Sequence, residues 1–457
     1  MSETIEIPPA KRQLKIFFHS LEAAGHQNSC IGLAQILLRR GHRVIFLLTD
    51  QFKGHMTKYG FEEISLTNAK PIEKPSSSSE QNANDKKIDP IKETAEFILS
   101  SGLLGTSNSL EKLHFIASAN FTEGVYEKVI EYEPQIKHAL KQENPDLIIM
   151  DHYLISPAFL SSNIPYVMVF SGAPLYLFNS DKLPPPCSGI SINSDPSTWI
   201  EHRDTFYNKY CTMINQFQMK LNKHFGYVPS EDLESKKFLR FHQSPYMNIY
   251  GYPKEIEFLS NSSLPDHYVQ VDAFCRDEDV DFQLPEKLAL KDNEKLLYVS
   301  MGSMGSIDVS LMKRILAVLE QTPHKYIVSK GIRADEYELP SNCWGKASLP
   351  QTAILKLVDA AIIHGGNNSF TECFVYGKPM IVMPLFGDQY DNGQRVMDTG
   401  YGISMDPYKF EPEQLVKAID QVLNDDQLRT RFECAAERIK RDRSKEKACL
   451  KIEELVN

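Results

Sequence analysis

Between Ile362 and Asn392 the chain reads IIHGGNNSFTECFVYGKPMIVMPLFGDQYDN, and its polar residues are spaced for an anion followed by a polyol. Gly365 and Gly366 let the backbone come close to a bulky anion. Asn367, Asn368 and Ser369 fall at the start of a helix, where free N–H groups and the helix dipole favour phosphate. His364, at the end of the preceding apolar run, can add a hydrogen bond to the same group. Glu372 follows Asn368 by one turn, roughly 6 Å along the same face. A carboxylate accepts hydrogen bonds and donates none, so it suits the vicinal hydroxyls of a ribose and repels a phosphate. Phosphate and then ribose along one helix describes a nucleotide. Asp388 and Gln389, at the mouth of the next apolar run, suit the hydroxyls of a sugar beyond the phosphates. A capped helix alone would account for any one of these residues; the combination is harder to dismiss.

Such residues need a parallel sheet whose strand ends open into helix starts. LKIFF (14–18), RVIFLL (43–48), DLIIM (146–150) and YVMVF (166–170) read as buried strands. A helix-period stretch from His26 to Arg40, stopped by Gly41, makes the first of them a βαβ unit. A second series starts at LLYVSMGS (296–303). It continues through a helix ending near Gln321, then KYIVS (325–329), AAIIH and PMIVMP. The chain therefore reads as two doubly wound α/β halves, residues 1–272 and 273–457, joined by an acidic, proline-rich linker. Helix-forming sequence from Glu411 to the end closes the second half. KPSSSSEQNANDKK, from Lys74, reads as a mobile surface loop. HSLEAAGH after the first strand lacks G-x-G-x-x-G, which argues against a dinucleotide-dependent dehydrogenase.

Composition narrows the class. With 50 basic and 60 acidic residues the net charge is −10 over 457 residues, which disfavours nucleic acid or an anionic membrane as the main partner. Any phosphate must be held by local geometry. The eight cysteines form no CxxC pair, as in a reduced compartment without a cysteine zinc site. MSETIEIPPAKRQ has no apolar signal core, and no run is long enough to span a membrane, so a cytoplasmic protein is expected. The glycosylation sequons at Asn120, Asn261 and Asn367 are then idle.

The stretch from Leu349 to Asn392 resembles the signature of the family 1 UDP-glycosyltransferases. That resemblance implies the GT-B fold, two Rossmann-like domains facing across a cleft, with the final helix packing back on the first. Carried over by position, His364, Gly366, Asn368 and Ser369 would hold the diphosphate and Glu372 the ribose. Asp388 and Gln389 would hold the sugar. Pro350 and Gln351 would lie beside the uracil, and Gly302 and Ser303 would reach a phosphate. Ser348 stands where the family usually has a tryptophan that stacks on the uracil; Trp344, four residues earlier, could replace it only with a rebuilt loop.

The resemblance also places a catalytic base at the start of the first helix, where Gly25 and His26 match, with His19 as the runner-up. A neutral imidazole can accept a proton near pH 7, and the helix N-terminus should lower its pKa further. Asp151, at the end of DLIIM, matches the aspartate that orients it. The implied reaction is a single, inverting displacement. His26 takes the proton of an acceptor hydroxyl, and UDP leaves from the sugar, most simply glucose. No metal or other cofactor is expected. Asp277-Glu278-Asp279 has the form of a metal-binding DxD string, but with Asp281 beside it in the linker it reads as a solvated charge run. The family's habit is a small lipophilic acceptor, a phenolic such as a flavonoid or a xenobiotic in a detoxification role, taken by a monomer. The apolar segments 97–126 and 199–225 fit walls of an acceptor cleft and core helices equally well. A non-catalytic nucleotide-sugar binder on the same fold is the alternative, disfavoured by the His26–Asp151 pair.

Overall fold

The computed structural model describes residues 8–67, 96, 98–178, 180–228, 242–258, 262–278 and 280–456. The stretch from Lys74, together with Phe97, Asn261 and Asp279, lies outside the described residues.

Two parallel sheets form the frame. The first contains β1 (Lys15–Ser20), β2 (Arg43–Thr49), β3 (Glu62–Leu66), β4 (Leu147–Asp151), β5 (Tyr166–Phe170), β6 (Met247–Gly251) and β7 (Tyr268–Val271) in the order β3-β2-β1-β4-β5-β6-β7. The second contains β8 (Leu296–Ser300), β9 (Lys325–Ser329), β10 (Cys343–Lys346), β11 (Ala360–Ile363), β12 (Met380–Val382) and β13 (Gly402–Ser404) in the order β10-β9-β8-β11-β12-β13. This is the two-domain α/β architecture the sequence implied. The strands visible as apolar runs are those buried on both faces, such as β4 and β8. Four strands the apolar runs did not reveal, β3, β7, β10 and β13, lie at the four sheet edges. An edge strand is covered on fewer sides, so its sequence is not obliged to be continuously apolar. The fifth, β6, is hidden by Asn248, whose buried amide is bonded to Ser244.

Strand order reverses between β1 and β4 in one sheet and between β8 and β11 in the other. Loops leaving such neighbours diverge and open a crevice at the carboxyl edge. Helices α1 (Ala24–Arg39), α2 (Ser109–Ile116), α3 (Asn367–Val375) and α4 (Asp388–Thr399) stand at these edges, and α5 (Ser444–Glu454) ends the described chain. The expected helix from Glu411 onward is three helices, Pro412–Asn424, Asp426–Asp442 and α5. The last packs against α1 and β7 of the first sheet, where Glu453 accepts hydrogen bonds from Arg40 and from the buried His42 at 2.7 Å. One apolar core runs through both halves, joining Ala173, Tyr252 and Phe258 to Phe370 and Leu385. Tyr252 also donates to Asn392 of α4 at 3.0 Å.

Candidate active site

His26 is the third residue of α1, and Asp151 ends β4, in register with Ser20 of β1. His26 Nδ1 lies 3.0 Å from Asp151 Oδ1, and the hydroxyl of Ser171 is also 3.0 Å from Nδ1. The carboxylate can only accept, so Nδ1 carries the proton and Nε2 keeps a lone pair. About a third of the His26 side chain is exposed, at 32%, whereas Asp151 is buried. The His26 pKa is not lowered, contrary to the expectation from the helix dipole. Burial pulls it down, but the charge and hydrogen bond of Asp151, with Asp388 behind them, raise it above its ordinary value. His19 sits inside β1 with its ring stacked on His152 and against Phe159, and burial pulls its pKa to about 4.

Across the cleft stands the N-terminus of α3, with Gly366 as its N-cap and no capping side chain. It meets the N-terminus of α1, which is likewise uncapped by a side chain. Asn368 Nδ2 donates to the Gly25 carbonyl at 2.7 Å, and Ser29 Oγ donates to Asn368 Oδ1 at 2.9 Å. Asn367 is buried and donates to the carbonyls of Ser171 and Gly251, so the sequon there is inside the protein. The glycines have a second role beyond letting an anion approach. A Cβ at Gly302, where φ is +70°, would sit 2.6 Å from His364 Nε2, and one at Gly366 would strike the same ring. The His364 ring is thus cradled by two glycines, with Nδ1 3.4 Å from the Ser300 carbonyl, and burial lowers its pKa to about 4. Ser303 lies in the single helical turn after β8, beside that cradle.

One turn along α3, Glu372 is buried and already has partners. Arg276 Nη1 is 3.4 Å from its Oε1, and Gln351 donates to its Oε2 while reaching Ser369 Oγ at 3.0 Å. Pro350 is the N-cap of the short helix that Gln351 opens. In the acidic linker Asp277 and Asp281 are exposed, as expected of a solvated charge run, and Glu278 is the exception. Asp277 pairs with Arg39 of α1 at 2.8 Å, while Glu278 pairs with Arg276 at 2.9 Å and accepts from the Thr352 hydroxyl at 2.9 Å. Among the described residues no group of three or more His, Cys, Asp or Glu side chains is arranged to hold a metal ion. Ser348 is exposed, and Trp344 is turned to Phe282, with ring centroids 5.9 Å apart.

Asp388 and Gln389 begin α4. Asp388 Oδ2 accepts from the Ala173 N–H at 2.9 Å, which brings the second half against the loop after β5. Gln389 Oε1 accepts from the N–H groups of Leu385 at 2.9 Å and Phe386 at 3.3 Å, which fixes its amide and leaves its NH₂ as a donor.

A family model described as UDP-glucoronosyl and UDP-glucosyl transferase matches residues 256–446, a span that holds every donor-side residue above. An NDP-glycosyltransferase, YjiC, of Bacillus subtilis is 22% identical over 442 residues, covering 95% of each chain. The chain is a glycosyltransferase similar to the family 1 UDP-glycosyltransferases. It is 28% identical to a putative UDP-glucuronosyltransferase, ugt-46, of Caenorhabditis elegans over 58% of this chain and 52% of that one. The fold of this glycosyltransferase superposes on the crystal structure of the glycotransferase of kitacinnamycin with a TM-score of 0.66 at 17% identity, covering 98% of this chain and 100% of that one.

Three residues of the candidate site were not singled out from sequence. Ser171 directly follows β5 at the carboxyl edge, a position that could have flagged it. Asp391 lies three residues after Asp388 on the same face of α4; it accepts from the N–H groups of Cys187 at 2.7 Å and Gly189 at 3.2 Å, and burial pushes its pKa up to about 8. Arg276 had no signal, because its partner Glu372 is 96 positions away. Among the described residues no helix is long and apolar enough to cross a membrane.

Proposed function

We propose that this glycosyltransferase transfers glucose from UDP-glucose to a hydroxyl of a small lipophilic acceptor, with inversion and without a metal. One observation carries the reading: two helix N-termini without side-chain caps meet across the cleft, joined by Asn368 to Gly25 and Ser29, with the His26–Asp151 pair beside them. Each N-terminus carries about half a positive charge, so two of them facing one another favour an anion between them. A leaving diphosphate supplies that anion, and its developing charge would be met by N–H groups already in place. His26 Nε2 takes the acceptor's proton as the oxygen attacks the anomeric carbon, and Asp151 stabilises the imidazolium. The sugar–phosphate bond breaks, and its electrons leave with UDP. The side chain of Asn368 would exchange its bond to α1 for the donor, while the helix N–H groups stay in place. The NH₂ of Gln389 and the carboxylate of Asp388 suit sugar hydroxyls, and a site built for such groups penalises a donor that leaves them unpaired. The chain works as a monomer in the cytoplasm on this reading.

The test is a panel of phenols and alcohols offered with UDP-glucose, following UDP release and product mass. UDP-glucose should outcompete UDP-galactose and UDP-glucuronate. Equal use of all three would remove Asp388 and Gln389 as selectors, and UDP binding without turnover across the panel would favour the non-catalytic alternative.

A further inference from the structure

Glu372 is 2% exposed and carries two partners, one on each oxygen, yet the reading above asks it to accept from a nucleotide as well. A carboxylate oxygen has two lone pairs. With Arg276 on Oε1 and Gln351 on Oε2, each oxygen keeps one lone pair, which matches two vicinal hydroxyls. The guanidinium is itself held. Its other arm pairs with Glu278, and Glu278 accepts from the backbone N–H and the hydroxyl of Thr352, next to Gln351. A closed ring results: Arg276, Glu278, the start of the Gln351 helix, Glu372. All three charged members are nearly buried, at 9%, 13% and 2% exposure.

We propose that Arg276, in the connection between the two sheets, is a positioning residue for the nucleotide: it keeps Glu372 ionised and oriented with one free lone pair per oxygen. The proposal rests on Glu372 as the ribose ligand. The groups around Glu372 make the dependence specific. Its pKa lies above the ordinary carboxylate value: burial raises it, Arg276 and Gln351 hold that rise down in part, Glu278 adds to it, and Lys445 opposes it from α5. Cys275, Cys373, Tyr298 and Tyr376 are its other titratable neighbours, and burial pushes the pKa of each upward, so all four stay neutral near pH 7. Without Arg276 the carboxylate holds its proton to higher pH. Nucleotide affinity then falls at low pH and recovers as pH rises.

The experiment is calorimetric titration with UDP at pH 6, 7 and 8, using wild type, Arg276→Met, Arg276→Lys and Glu372→Ala. Wild-type affinity should change little across the range. Arg276→Met should bind about tenfold more weakly at pH 6 and regain affinity by pH 8, one pKa unit being worth a factor of ten. Arg276→Lys keeps the charge but loses the fork, and should show a smaller loss of the same sign; it also serves if the Met variant does not fold. Wild-type affinity in either Arg276 variant, or a loss independent of pH, overturns the positioning role. Normal UDP binding by Glu372→Ala would overturn the ribose assignment itself, which separates the two failures.

Discussion

The two sheet edges that face the cleft are built differently. On the second sheet, the residues assigned to the donor run from His364 to Gln389 in one strand–helix–strand–helix passage, with Gly302, Ser303, Pro350 and Gln351 from neighbouring loops. On the first, the base is assembled from the ends of three strands: His26 after β1, Asp151 at the end of β4, Ser171 after β5. An anion site made of backbone N–H groups is local by nature, since one helix start supplies most of it. A proton-transfer site needs side chains of different kinds converging on one imidazole, and no short stretch of chain can do that.

That contrast can be broken at either edge. His26→Ala removes the only lone pair proposed to take the acceptor's proton, and turnover should fall at least about a hundredfold. UDP affinity should stay close to wild type, because the donor edge is untouched. If the variant keeps most of its rate, the base lies elsewhere.

Asp151→Asn tests the convergence. Wild-type His26 has a raised pKa, so it loses basic character as pH falls through that raised value. Removing the carboxylate lowers the pKa. The acid limb of the rate profile should therefore move to lower pH, while the maximum rate drops by roughly one to several orders of magnitude for want of a counter-charge. An unshifted limb with full turnover would reduce Asp151 to a strand-end residue.

At the other edge, Gly366→Ala drives a Cβ into the His364 ring. Overpacking of this kind costs roughly 1–3 kcal/mol, and here it should appear as weaker UDP binding in calorimetry. Unchanged UDP affinity would mean that the cradle does not shape the anion site.

The smallest effect is expected at Asp391→Asn. Burial raises the Asp391 pKa to about 8, above about 3.9 in the unfolded chain. A raised folded-state value means stability that is fully present below pH 4 and lost as pH rises toward 8. The Asn variant should lack this pH-dependent loss, so its melting temperature should change less than that of wild type between pH 5 and 8. Parallel curves for the two proteins would exclude Asp391 as their source.

How much was legible follows the same divide. The βαβ frame was readable because β1, β2, β4, β5, β8, β9, β11 and β12 are buried apolar runs. Edge strands such as GIS and CWGK carry no such run. The HGGNNS stretch announced its helix start through its glycines and the short polar residues after them, although no side chain caps it. Contacts between residues distant in the chain were not legible: Asn368 to Ser29 spans 339 positions and Arg276 to Glu372 spans 96. Glu278 looked solvated like Asp277 and Asp281 because Thr352, which donates to it, lies 74 positions away. The His26 pKa was misjudged because the helix dipole is visible in sequence, whereas the closeness of Asp151 and Asp388 is not.

The most direct test of the central claim, a direct displacement driven by the His26–Asp151 pair against a diphosphate held between two helix starts, is the anomeric configuration of the product formed in excess EDTA. UDP-glucose is α-linked. Proton NMR of the product should show a β-glucoside formed at an undiminished rate. An α-glucoside, or activity that disappears with chelator and returns with manganese, would contradict the account.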